Sequence, residues 1–130
     1  MEWEDYWRKA HENLTVADWA YQNGKHNASA SRAYYAVFLA SIAALLKLTD
    51  YRMRKNQWDH DQVQAELNLR LITRRKVLPA ALGRIPMDLI VLRHQADYKA
   101  QPVSAKAAKA AVEQAREFLA AIASALGATV

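Results

Sequence analysis

The chain has 130 residues, no cysteine and a formal net charge of +5. That length suits a single domain over residues 1–130 with a core that needs no staples. The missing cysteine excludes disulfides and thiolate metal sites, and it points to a reducing, cytoplasmic setting.

The start, MEWEDYW, is acidic and aromatic and does not read as a secretory signal. The sequons at Asn13 and Asn27 then read as accidental. The charge excess is local. Residues 51–99 hold ten Lys and Arg against five Asp and Glu, while the remainder holds eight against eight. A basic middle suggests a polyanionic partner, but charge alone favours the plainer reading of a solvated surface that aids solubility.

In chain order, Trp3, Trp7, Ala10, Leu14, Ala17 and Tyr21 alternate at four and three. This predicts a first helix over about Glu4 to Asn23 with a bundle seam, stopped at Gly24. Its tryptophans read as core or dimer-interface packing. The stretch Ser31 to Leu48 is the most apolar in the chain. Ala30, Tyr34, Val37, Ser41, Ala44 and Leu48 share one helical face, which Phe38, Ile42 and Leu45 widen. A helix this apolar belongs at the centre of a bundle, with Asn27 or Ser29 as its cap. Ser41 interrupts the run and Arg32 and Lys47 bracket it, so no membrane span is expected.

Residues 49–59 lose the period and gain charge, as an exposed basic loop would. A third helix is predicted from a cap at Asp59 to about Val77, with Val63, Leu67, Leu71 and Val77 inward and Arg70, Arg74, Arg75 and Lys76 outward. Pro79, Gly83 and Pro86 break the chain. Pro86 to about Tyr98 reads as a fourth helix with Leu89, Leu92 and Ala96 inward. Ser104 caps a fifth that runs to about Leu126 on the seam Ala108, Val112, Ala115, Leu119, Ile122 and Leu126. The expected fold is an all-α antiparallel bundle of about five helices.

Chemistry concentrates at the end of the fourth helix. Arg93 and Asp97 stand one turn apart, with His94 and Tyr98 beside them. A guanidinium binds phosphate oxygens bidentately and an imidazole moves protons near neutral pH. The same residues also read as an ordinary Arg–Asp helix pair with a surface histidine. Arg52, Arg54 and Lys55 lie between Tyr51 and Trp58, a mixture suited to nucleic acid; Arg70, Arg74 and Arg75 extend it. His11, His26, His60 and His94 have no ligand spacing, so no metal or other cofactor is expected, and His60 reads as a helix-start polar residue.

SRAYYAVFLASIAALL, then His60 with Val63, then LRHQADY and an alanine-rich helix holding AREFL resemble the HEPN superfamily, especially small prokaryotic members of the toxin–antitoxin type. The resemblance runs from about Leu14 to Ile122. It implies a dimerising bundle with a cleft shared between subunits. Many relatives are metal-independent ribonucleases encoded beside a nucleotidyltransferase antitoxin. Their motif is an Arg, four to six residues, then a His, with a polar residue after the Arg. Arg93 and His94 match its start, but Tyr98 stands where the histidine is wanted. A phenol, with an ordinary pKa of about 10, is a poor base at neutral pH. Either His94 substitutes, or Asp97 and Tyr98 bind, or the nuclease is lost. Arg54 and His60 fit the spacing only across a loop. The implied reading is a toxin-like ribonuclease using Arg93, His94, Asp97 and Tyr98. Its alternatives are an inactive module that binds a nucleotide or a nucleotidyltransferase, and a structural dimerisation bundle. Dimerisation could use the first helices or the Pro86–Tyr98 helix.

Overall fold

A computed structural model describes residues 2–55 and 57–127. Their five α-helices are α1 (Glu2–Gln22), α2 (His26–Leu48), α3 (His60–Leu67), α4 (Arg84–Tyr98) and α5 (Ala105–Leu126). No strand occurs among the described residues, so the all-α bundle expected from the helical periods is the fold observed.

The α1–α2 hairpin follows from its turn. Gly24 has φ +72°, which an L side chain rarely adopts. This lets the Lys25 amide donate to the Ala20 carbonyl at 2.7 Å and the Gly24 amide to that of Tyr21 at 3.2 Å, a Schellman closure. Buried alanines line both helices: Ala10, Ala17 and Ala20 on α1, and Ala33, Ala36, Ala40, Ala43 and Ala44 on α2. Small side chains bring the two axes close, and α1–α2 is the most extensive helix pairing in the fold.

The seam of α1 faces the core, where Trp7 and Ala17 are buried and Trp3, Leu14 and Tyr21 pack against the buried cluster. That seam is occupied within the subunit, while Val16 and Trp19 stay exposed. The caps expected at Asn27 and Ser29 are not formed. The Asn27 side chain accepts instead from the Val103 amide at 2.8 Å, and the Ser29 hydroxyl donates to the Ala17 carbonyl at 2.8 Å. Both tie α2 to neighbouring segments and leave its N-terminus without a side-chain cap.

By length and composition α2 is apolar enough to cross a membrane, yet 78% of its most apolar window is buried inside the bundle. It is a core helix flanked by α1, α4 and α5. Ser41 is tolerated there because its hydroxyl donates to the Val37 carbonyl at 2.8 Å.

The 49–59 loop is held more closely than its charge suggests. Tyr51 is buried, and the Trp58 indole donates to the Tyr6 hydroxyl at 2.8 Å. Asp59 caps α3 as expected, accepting from the Gln62 amide at 2.9 Å. The helix does not run evenly to Val77: Asn68–Arg74 winds as a π-helix, and Lys76 takes φ +53°. The amides of Val77 and Leu78 both turn back to the Leu71 carbonyl. Val77 is thereby exposed and Leu78 takes the buried place. A 3₁₀ turn, Ala80–Gly83, leads into α4. A Cβ on Gly83 would lie 2.9 Å from the Asn68 side-chain oxygen, so a larger residue here would require the Asn68 side chain to turn aside. Ser104 caps α5 by accepting from the Ala107 amide at 3.1 Å, and Gly127 ends it at φ +70°.

Candidate active site

Three helices converge where α2 meets the start of α3 and the last two turns of α4. On α2, Tyr34 and Phe38 stand one turn apart and Tyr35 lies one step round. A buried phenol in an aliphatic helix needs a polar partner, and both tyrosines find one across the bundle. Arg93 of α4 donates from Nη2 to the Tyr35 hydroxyl at 2.9 Å and from Nε to Asp97 Oδ2 at 3.0 Å. Ser31 Oγ lies 3.5 Å from the same carboxylate oxygen.

The Arg93 guanidinium sits 5.4, 5.7 and 5.8 Å from the ring centres of Tyr35, Tyr98 and Tyr34. A second guanidinium, Arg32, stands 4.8 Å from the Tyr35 ring and donates to Asn13 at 3.0 Å. Tyr35 is thus flanked by two cations. Only 20% of the Arg93 side chain is exposed. Burial opposes its charge, but Tyr35, Tyr98 and Asp97 together outweigh that and hold the guanidinium above its usual pKa. Its remaining N–H donors meet no acceptor among the described residues.

His60, the first residue of α3, completes the cluster. Its ring stacks on Phe38 with centroids 4.0 Å apart and planes 6° from parallel. Nδ1 is hydrogen-bonded to the Tyr34 hydroxyl. Burial, then the charge of Arg93, lowers the His60 pKa below 6.5. Burial chiefly raises that of Tyr34, which stays a neutral phenol.

Of the residues expected at the site, Arg93, Asp97 and Tyr98 do come together. His94 is exposed, packs its ring 5.2 Å from that of Tyr98, and lines a separate concavity with Val91, Gln95 and Lys99. The basic set lies elsewhere. Arg75 donates to the Leu48 carbonyl, which is 13 residues beyond Tyr35 on α2, roughly 20 Å at the helical rise. Arg52 is engaged by the carbonyls of Thr49 and Tyr51, and Arg70 by Glu66 and Asp50. Arg54, Lys55 and Arg74 are exposed cations outside these bonds. In the sequence Tyr34 and Arg32 read only as parts of the apolar helix, and His60 as a helix-start residue whose spacing from Arg54 crosses a loop; spacing assigns none of them, nor Tyr35, to the Arg93 site. The available signal was the pair of phenols inside an otherwise aliphatic helix.

A family model described as HEPN domain matches residues 3–125. The chain belongs to the HEPN family. No curated protein matches it. The match spans α1 to α5, so every helix that builds the Arg93 cluster lies inside the HEPN domain.

Two imidazoles of this HEPN domain make its stability depend on pH. His11 stacks edge-on to Trp7 at 4.5 Å, its Nε2 is buried without a hydrogen-bond partner, and burial lowers its pKa as it does that of His60. The unfolded chain therefore binds more protons than the folded one between these lowered values and 6.5. Stability is complete above pH 6.5 and declines as pH falls through the lowered values. The urea midpoint should be higher at pH 7.5 than at pH 5.5, and His11→Gln should narrow the gap. Equal midpoints at the two pH values would contradict this.

Proposed function

We propose that this HEPN domain is a metal-independent endoribonuclease, the toxin-like member of a pair with a nucleotidyltransferase antitoxin. The observation that carries the reading is Arg93: a largely buried guanidinium, framed by three tyrosines, with N–H donors left over. Such a group binds a phosphodiester through charge-assisted bonds. It stabilises the charge that builds on the phosphoryl oxygens when a ribose 2′-hydroxyl attacks the adjacent phosphorus. Asp97 and the Tyr35 hydroxyl fix the guanidinium plane, and Arg32 adds a second positive field. The exposed Tyr98 ring offers a face on which a base can stack. The RNA of the cytoplasm is the matching substrate pool. The test is incubation of mixed RNA with the parent and with Arg93→Ala in the presence of chelator, with the 2′,3′-cyclic phosphate product identified.

A second reading has one observation in its favour. Tyr98 occupies the histidine position of the motif, which suits a silent module that holds a nucleotide or a nucleotidyltransferase. Nucleotide or partner binding without any cleavage would select it.

The proposed dimer uses α4. Met87, Val91, His94 and Tyr98 follow one another at four, three and four, and Val91 is 71% exposed. A second copy of this stripe is its complement, since like seams pack in register. The stripe ends beside Arg93, so two sites would share the interface. The parent should sediment as a dimer at micromolar concentration and Val91→Glu as a monomer with unchanged helix content. A monomeric parent would end this assignment.

A further inference from the structure

The four histidines sit in different surroundings. His11 packs on Trp7, His26 lies 6.2 Å from Tyr21, and His94 leans on Tyr98 over a separate concavity. His60 alone has its ring held on one face by Phe38 and one ring nitrogen bonded to Tyr34, and it shares Tyr34 and Tyr35 with the Arg93 guanidinium. Packing explains the stack but does not require an imidazole: a phenyl ring at position 60 would lie on Phe38 as well. What the imidazole adds is an oriented nitrogen beside a phosphate-binding cation.

We infer that His60, carried in from α3, is the proton-transfer residue of the Arg93 site and fills the role for which Tyr98 is chemically unsuited. This rests on the ribonuclease reading above. The Tyr34–Nδ1 bond forms with either tautomer of the ring. In the tautomer that this transfer requires, Nδ1–H donates to the Tyr34 oxygen and Nε2 keeps its lone pair. Nε2 takes the proton of the 2′-hydroxyl, and the freed oxygen forms a bond to phosphorus. The bond from phosphorus to the 5′-oxygen breaks, that oxygen takes a proton from water, and the imidazolium returns its proton to solvent. The products are a 2′,3′-cyclic phosphate and a 5′-hydroxyl, with no redox change. His60 faces Tyr34 and Tyr35 from α2 and Arg93 from α4, and it has Asp59 and Asp61 on either side along its own chain. Burial and Arg93 oppose its protonation while the two carboxylates favour it; the net effect keeps the ring neutral near pH 7.

The experiment compares single-turnover RNA cleavage by the parent, Arg93→Ala, His60→Asn and His60→Phe between pH 5 and 9, with helix content checked for each. His60→Phe keeps the stack and guards against a packing defect in His60→Asn. The expected result is an acid limb in the parent below pH 6.5. Both His60 variants should lose about 100-fold or more in rate, with little change in substrate KM. Free imidazole should partly restore a His60→Ala variant. An active parent whose folded His60 variants cleave within a few-fold, with an unshifted pH profile, overturns the assignment and leaves the ribonuclease reading standing. An active parent with no acid limb overturns it equally. A parent that cleaves nothing overturns both.

Discussion

Arg93→Ala should lower RNA cleavage by at least about 100-fold, because losing one well-placed donor to a developing oxyanion costs 10²–10³ in rate. Here the change removes a whole cation as well as its donors. The fold should survive. The Arg93–Asp97 pair is a one-turn helix pair with side chains 20% and 30% exposed, and such pairs contribute about 0.3–0.5 kcal/mol. The Tyr35 hydroxyl and the Asp97 carboxylate lie close enough to the surface to turn to water. Arg93→Lys should fall between, keeping the charge but losing the planar fork that holds two partners at once. Gel-resolved cleavage in chelator, beside circular dichroism of each variant, checks both halves. An alanine variant that cleaves within about three-fold of the parent would remove Arg93 from the site.

Phe118→Ala should cause the largest loss of stability of any single truncation, about 3–5 kcal/mol. Phe118 of α5 is the largest fully buried side chain among the described residues, at 0% exposure. Its neighbours in the buried cluster include Leu119, Ile122 and Ala115, which are anchored in the same helix and cannot collapse into the hole. A domain of this size has only about 5–15 kcal/mol in total, so the melting temperature should drop by roughly 10–20 °C. Calorimetry at fixed pH decides it. A loss under about 1 kcal/mol would mean that the core closes over the gap.

Much of the architecture was legible because helix faces repeat locally. The four-three seams of α1 and α5, the stops at Gly24 and Gly127 and the caps at Asp59 and Ser104 each follow from a few neighbouring residues. Where an element's outcome depends on distant partners, spacing was not enough. Phe118 lies one place beside the α5 seam, yet it is fully buried, because α5 packs on more than one neighbouring helix. Asn27 and Ser29 have the chemistry of caps, but Val103 and Ala17 claim their side chains. The π winding of Asn68–Arg74 has no signature in NLRLITR, and its packing of Asn68 and Ile72 beside Gly83 brings together residues distant in sequence.

The site divides in the same way. Arg93 with Asp97 is a one-turn pattern visible along one helix. His60 reaches it from 33 positions earlier, and only the packing of α3 against α2 shows that a helix-start histidine belongs to the cluster. Charge alone does not show how a basic residue is used: Arg52, Arg70 and Arg75, scattered through the basic middle of the chain, each donate to the loop and helix ends around them.

The central position of α2 also sets a timetable. During synthesis α2 is flanked by α1 at once, whereas α5, which covers another side, is complete only 78 residues after Leu48. At about 5–20 residues per second, a helix apolar enough for a lipid bilayer waits roughly 4–16 seconds with part of its surface uncovered. Newborn chains are therefore at their most adhesive in that interval, and chaperone demand during expression should track the delay before α5 emerges.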